Sequence, residues 1–283
     1  MVLNVDLHSH STQSDGSLRP AAVAERAKAR GVDWWALSDH DALSGLQEAA
    51  EAARELDLGF IPGVEISVLY SGVTVHIVGL NFNPADTTLQ VGLAQIRQTR
   101  FERARQMGDR LQDCGVEGAF DGALSLAGNP HLIGRVHFAR YLIQQGVCDT
   151  FQQAFERYLG DGKRACVPMQ GATLEEAVGW ILSAGGKAVI AHPGRYPYKP
   201  ARRKALFSDF KALGGQAIEV VTGSHTPDQY RQYARVAREY GFEASRGSDF
   251  HAPGMGRVDL GLLPDLPYDL VPVWRDWIVE PGH

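Results

Sequence analysis

Residues 2–10 read VLNVDLHSH, an apolar run that closes on two histidines one residue apart. Val2–Leu7 has the branched, apolar composition of a buried strand. Side chains two apart on extended backbone leave the same face, so His8 and His10 can reach one metal ion with little strain. Ligands delivered just past a strand are the habit of barrels, whose strand-following loops share one face and build the site there.

The pattern recurs along the chain. VDWWALSDHD (32–41) sets Asp39, His40 and Asp41 after a strand over Trp34–Leu37, and FIPGVEIS (60–67) sets Glu65 after Phe60–Val64. KAVIAHPGR (187–195) sets His192 after Ala188–Ala191, and RGSDFH (246–251) sets Asp249 and His251 after Phe242–Ser245. His76 interrupts the apolar strand Val73–Leu80, Ala217–Val221 is a further strand, and Asp15 lies in the loop after the first. Amphipathic helices are predicted over Arg19–Arg30, ended by Gly31, and over Leu43–Leu56, Leu174–Ala184, Ala201–Leu213 and Asp228–Tyr240. This alternation reads as an α/β fold, a distorted (β/α)7 barrel. It breaks once: the third and fourth strands are joined by too few residues for a crossover helix, with Ser71-Gly72 as turn chemistry.

No strand is predicted between Leu89 and Gly162. AQIRQTRFERARQMGDRLQDCG (94–115) is one long charged helix, and shorter helical runs follow. Residues 89–162 are therefore expected to form a helical insert capping the active site of a barrel built from 1–88 and 163–283. The 44% hydrophobic content supports a full-sized core, and the net charge of -5 offers no general attraction to nucleic acid or anionic membrane. Cys114, Cys148 and Cys166 are odd in number and lack CxxC spacing, which argues against a disulfide framework and fits a cytoplasmic location. The N-terminus has neither a signal peptide nor an apolar span, so no membrane association is expected, and nothing calls for an obligate protein partner.

A lone histidine in an apolar strand, such as His76, is more often a hydrogen-bonded core residue than a ligand. As a set the histidines resist that reading, because unrelated core histidines have no reason to collect at one end of several strands. Imidazole and carboxylate without thiolate suit Mn, with Zn, Fe, Co and Mg as alternatives. Glu65 is the candidate to bridge ions, since its two oxygens can each take one. Two to three divalent ions point to hydrolysis by a metal-bridging hydroxide, with phosphate esters as the substrates that most demand it.

LHSHSTQSDG, SDHD, GVEIS, the histidine of VTVHIVG, AHPGR and GSDFH, in this order, resemble the polymerase and histidinol phosphatase (PHP) family over Val2–Gly79 and Ala188–His251. The resemblance implies the family's distorted (β/α)7 barrel and a trinuclear metal centre. It implies one ion on His8, His10, Glu65 and Asp249, a second on Glu65, His76 and His192, and a third on Asp15, His40 and His251. Asp15 stands where other branches often have a histidine. GRVHFARYLIQQG (134–146) and YLGDGKRACVP (158–168) resemble the branch with a helical insert, which implies a small phosphorylated nucleotide as substrate. On that footing the chain would remove the 3′-phosphate of nucleoside 3′,5′-bisphosphates such as adenosine 3′,5′-bisphosphate. The alternatives are a 5′-to-3′ exonuclease on short oligonucleotides, a histidinol-phosphate-type phosphatase, and a metal-binding regulatory module without turnover. Arg135, His137, Lys163, Arg195 and His225 are the candidates to bind substrate phosphates. His225, after the sixth strand, is also the candidate general acid. His131 and His283 have no strand-end context and are given no role.

Overall fold

The computed structural model describes residues 3–278; Val2, where the first strand was expected to begin, and His283 lie outside the described residues. Seven strands form one sheet in chain order: β1 (Val5–Asp6), β2 (Trp34–Leu37), β3 (Gly59–Tyr70), β4 (Val73–Leu80), β5 (Lys187–Ile190), β6 (Ala217–Thr222) and β7 (Glu243–Gly247). The sheet curls into a nearly closed barrel. Leu7 donates its backbone N–H to the Arg246 carbonyl at 3.0 Å, and Asp249 donates to the His8 carbonyl at 2.9 Å, which joins the first strand segment to the last.

β1, β2 and β3 pair in parallel, as do β5, β6 and β7, whereas β4 is antiparallel to both neighbours. The cause is local. Ser71 (φ 49°) and Gly72 (φ 80°) form a two-residue turn between the paired Tyr70 and Val73, and positive φ at both positions matches the twist of a tight hairpin. Held by this hairpin, β3 continues past Val64, where the sequence reading ended it. Glu65 therefore lies inside a strand, not at its end, and a parallel bridge to His40 links it to the loop after β2.

Crossover helices α1 (Pro20–Ala29) and α2 (Leu46–Glu55) precede α3 (Thr87–Gln112), α4 (Ala119–Ser125), α5 (Arg135–Gln144) and α6 (Phe151–Ala154). The barrel then resumes with α7 (Leu174–Ser183), α8 (Pro200–Ala212) and α9 (Pro227–Tyr240). Proline opens α1, α8 and α9, where its missing N–H costs nothing. Thr173 with Glu176 and Thr226 with Gln229 close reciprocal capping boxes at α7 and α9. Inside the barrel Val5, Leu7, Ala36, Ile61, Val189 and Ala217 are buried together.

The chain divides into two compact units, Met1–Leu93 with Ala172–His283, and Ala94–Gly171. The first boundary falls within α3, five residues beyond the expected 89, because the first turns of that helix pack on the barrel unit. Leu89 and Leu93 are buried, and Gly92 lies so close to Trp180 that a Cβ there would meet its indole at 2.5 Å. The second unit has its own core around Met107, Leu111, Phe138, Leu142 and Leu159. Val167 joins that core and carries the unit past the expected end at 162.

Candidate metal centre

Glu65 organises the site. Its carboxylate is fully buried, and five imidazoles lie within 3.2 Å of it. Oε1 is 2.8 Å from His76 Nδ1 and 2.9 Å from His192 Nε2. Oε2 is 3.1 Å from His40 Nδ1 and 3.2 Å from the Nε2 atoms of His8 and His10. In the β3–β4 register His76 lies opposite Ser67, two residues from Glu65, so the two side chains are diagonal neighbours on one face.

Three groups of side chains could hold an ion, their ligand atoms lying within 4.8 Å of one another: His8, His10, Glu65 and Asp249; His10, Asp15, His40 and His251; and His40, Glu65 and His76. Ligands at about 2.0–2.2 Å from a shared ion fall within such a span. The first group has the same four members as the resemblance implied. In the other two the geometry adds His10 beside Asp15 and brings His40 to Glu65 and His76, while His192 reaches the same Glu65 oxygen as His76. The ring of His10 stacks against both His40 and His251, with centroids 4.6 and 4.2 Å away.

The donor set fits divalent cations. Glu65 Oε2 and Asp249 Oδ1 are buried with no hydrogen-bond partner, and the Nε2 atoms of His8 and His10 face each other at 3.1 Å. Carboxylate oxygens and imidazole nitrogens gathered around one point call for positive charge between them, which a divalent ion would supply. The charges respond to the same crowding. Burial would push the Glu65 carboxyl up, but His40, His76 and His8 hold it well below the usual carboxylate range. Burial likewise opposes charge on His10, yet Asp249 and Glu65 raise its imidazole to about 10. Burial lowers His40 to about 3, with Glu65 opposing. Asp249, despite burial, and the more exposed Asp15 are both held far below the ordinary value by the surrounding histidines.

Asp39 and Asp41, which the sequence also sets after β2 but outside the implied ligand groups, are both engaged elsewhere. Asp39 accepts the N–H and Oγ of Ser11, each at 2.7 Å, and Ser14 Oγ at 2.5 Å, which ties down the loop carrying Asp15. Asp41 accepts the N–H and Oγ of Ser67 at 2.7 and 2.8 Å, pinning β3 beside Glu65. Asp41, His192 and Asp249 all have positive φ (50°, 26° and 56°), so the backbone around this cluster is strained where it presents these side chains.

Arg195, half-exposed, donates to Asp249 Oδ2 at 2.9 Å. His225 does not have the surroundings of an acid. It is 3% exposed, its Nε2 accepts the backbone N–H of Gly194 at 3.0 Å, and its Nδ1 faces the Val220 carbonyl at 3.4 Å. Burial lowers its pKa to about 4, so the ring is neutral and its inward nitrogen carries no proton to give. In the helical unit, Arg135 pairs with Asp161 at 3.0 Å and lies over the Phe155 ring. His137 Nδ1 accepts the Gly134 N–H at 3.1 Å, closing the first turn of α5, and Lys163 is exposed. A cavity of about 270 Å3 opens beside Asp249, lined by Gly223, Ser224, Ser248, Met255 and Arg257 among others, and Ser224 Oγ is buried there without a partner.

The sequence reading missed Glu219, a buried carboxylate on β6 that bonds His8. Its signal was an acid inside the apolar run AIEVV.

The chain is 50% identical over 273 residues to a 3′,5′-nucleoside bisphosphate phosphatase of Chromobacterium violaceum, covering 96% of each chain. It is 43% identical over 275 residues to a 5′-3′ exoribonuclease of Haemophilus influenzae, covering 97% of this chain and 99% of that one. Among solved structures it matches an amidohydrolase from C. violaceum with bound sulfate and no metal, at 50% identity and a TM-score of 0.84, over 96% of this chain and 95% of the other. The PHP domain as a sequence family matches residues 6–164, from the strand that leads into His8 through most of the helical unit, and the chain belongs to that family.

Proposed function

We propose that the protein is a metal-dependent phosphomonoesterase that removes the 3′-phosphate of small nucleoside 3′,5′-bisphosphates. The observation that carries this reading is the single buried Glu65 carboxylate touched by five imidazoles, in a chain half identical to a protein named for that activity. The proposed ligands are His8, His10, Asp15, His40, Glu65, His76, His192, Asp249 and His251. Manganese is the proposed ion, and the absence of any thiolate from the groups supports it over a structural zinc. Divalent ions held here supply activation of water and neutralisation of charge on the phosphoryl oxygens.

The chain's own groups do the rest. Arg195 keeps N–H donors beyond the one it gives Asp249, and these can hold a phosphate oxygen. Gly194, latched to His225, fixes the turn on which Arg195 sits. The cavity beside Asp249 is sized for one small ligand portion, which supports a mononucleotide-sized substrate. Arg135, His137 and Lys163 are proposed as phosphate-binding on the resemblance of their motifs. A cytoplasmic location is proposed from the free cysteines; no helix among the described residues is long and apolar enough to cross a membrane.

Phosphate release from adenosine 3′,5′-bisphosphate with Mn2+, compared with release from 5′-AMP, tests the reading. The bisphosphate is expected to be the better substrate, and preferential cleavage of the monophosphate overturns it. The relationship to a 5′-3′ exoribonuclease supports a second reading, removal of nucleotides from short RNA. A rate that rises with chain length from dinucleotide to decamer would favour it.

A further inference from the structure

We propose that Glu219 is a positioning residue of the metal centre, fixing His8 with its proton on Nδ1 and its Nε2 lone pair toward the ion while also holding the His192 turn. The inference rests on the reading of His8 as a metal ligand. Glu219 is 1% exposed, on a strand buried at every position. Its Oε1 lies 2.7 Å from His8 Nδ1, and its Oε2 accepts the backbone N–H of His192 at 2.5 Å. Among the described residues its only ion-pair partner is His8.

Two features show that this is a built contact. The β6–β7 register shifts between Glu219 and Val221, so a bulge re-aims the strand immediately after Glu219. His192 holds a φ of 26°, a conformation that a non-glycine residue keeps only when its surroundings enforce it, and the Glu219 oxygen on its N–H is such a restraint. One carboxylate thus joins the loop after β1 to the loop after β5. A histidine ligand whose far nitrogen donates to a carboxylate is locked in tautomer and ring orientation and becomes more basic.

The chemistry of the two partners makes the test sharp. Both are donors, the Nδ1–H of His8 and the N–H of His192, and only a group that accepts on both oxygens serves both. Glu219→Gln keeps the volume but must turn an NH2 toward one of them. If it faces His8, the imidazole proton moves to Nε2 and the ligand is lost.

The measurement is Mn2+ affinity of the full chain by calorimetric titration, wild type against Glu219→Gln, with melting temperature recorded for both. Affinity is expected to fall about 10–100-fold in the variant. Equal Mn2+ affinity in the two proteins overturns the assignment, whereas a wild type that binds no Mn2+ overturns the metal-centre reading itself. A second measurement does not depend on the variant folding: 15N NMR of the Zn2+-loaded wild type, with His8 assigned through His8→Gln. A proton on Nδ1 and metal on Nε2 are expected. Metal on Nδ1 overturns the proposal, and so does an Nδ1 proton without the downfield shift of a short bond to a carboxylate, a signature that the metal alone would not set.

Discussion

His225 Nε2 accepts the backbone N–H of Gly194 at 3.0 Å, so the end of β6 is latched to the turn that presents His192 and Arg195. The ring cannot accept this bond and donate a proton from the same atom. Its place is to hold the turn, and the neutral state that burial imposes is the state the latch requires.

His225→Gln should therefore retain kcat within about threefold, since an amide oxygen can also accept the Gly194 N–H. A general acid would cost about 10²–10⁴-fold. The pH dependence of stability gives a second reading. An ordinary histidine titrates near 6.5, and this one, folded, near 4. Between those values the unfolded chain binds more protons, so stability is present above pH 6.5 and is lost as pH falls toward 4, by up to roughly 3 kcal/mol. Urea unfolding at pH 7 and pH 4.5 should show a smaller loss in His225→Gln than in wild type.

Glu65→Gln should abolish activity and most metal binding. The amide removes the charge that five imidazoles surround and turns a donor toward nitrogens that must stay free for ions. Metal analysis after dialysis should show at least about a hundredfold weaker retention, beyond what loss of a supporting partner causes. Retention equal to wild type would remove Glu65 from the bridging role.

Arg195→Ala should raise KM about tenfold or more, with Arg195→Lys between it and wild type, because a forked guanidinium can bond Asp249 and a phosphate oxygen together. Bound metal should change little, since Asp249 still faces His8 and His10. Steady-state kinetics with metal analysis on the same samples checks both.

Asp15→Asn should reduce bound metal by one ion per chain and leave the group built on Glu65 and Asp249 loaded. Asp15 is the exposed member of its set, its side chain 48% accessible, so solvent competes there for the ion more than at the fully buried Glu65. Stepwise chelation followed by metal analysis should empty this position first in wild type. Simultaneous loss of all ions would show that the groups are not separable.

Gly72→Ala should destabilise the fold by about 1 kcal/mol, since φ is 80° at this turn position and a side chain gains no contact there. Thermal denaturation measures the loss, and activity at low temperature should persist because the hairpin still carries Glu65 and His76.

Much of this protein was legible in one dimension. Strand and helix positions follow from apolar period and capping residues, and the gathering of His8, His10, His40, His192, Asp249 and His251 at one end of the sheet follows from their places just past strands. Residue type and strand-end position are local properties, so the sequence alone determined a barrel with histidines and carboxylates gathered on one face. It did not determine that β3 runs on through Glu65, which depends on the hairpin partner. Nor did it reveal that Asp39 and Asp41 anchor loops, or that His225 is latched to Gly194. Those are contacts between segments 26 to 31 residues apart. Glu219 lies 211 residues from His8, and only closure of the sheet and the bulge after Glu219 set its carboxylate against that ring. Which atom meets which across a barrel is fixed by register and closure, and these exist only in the folded chain.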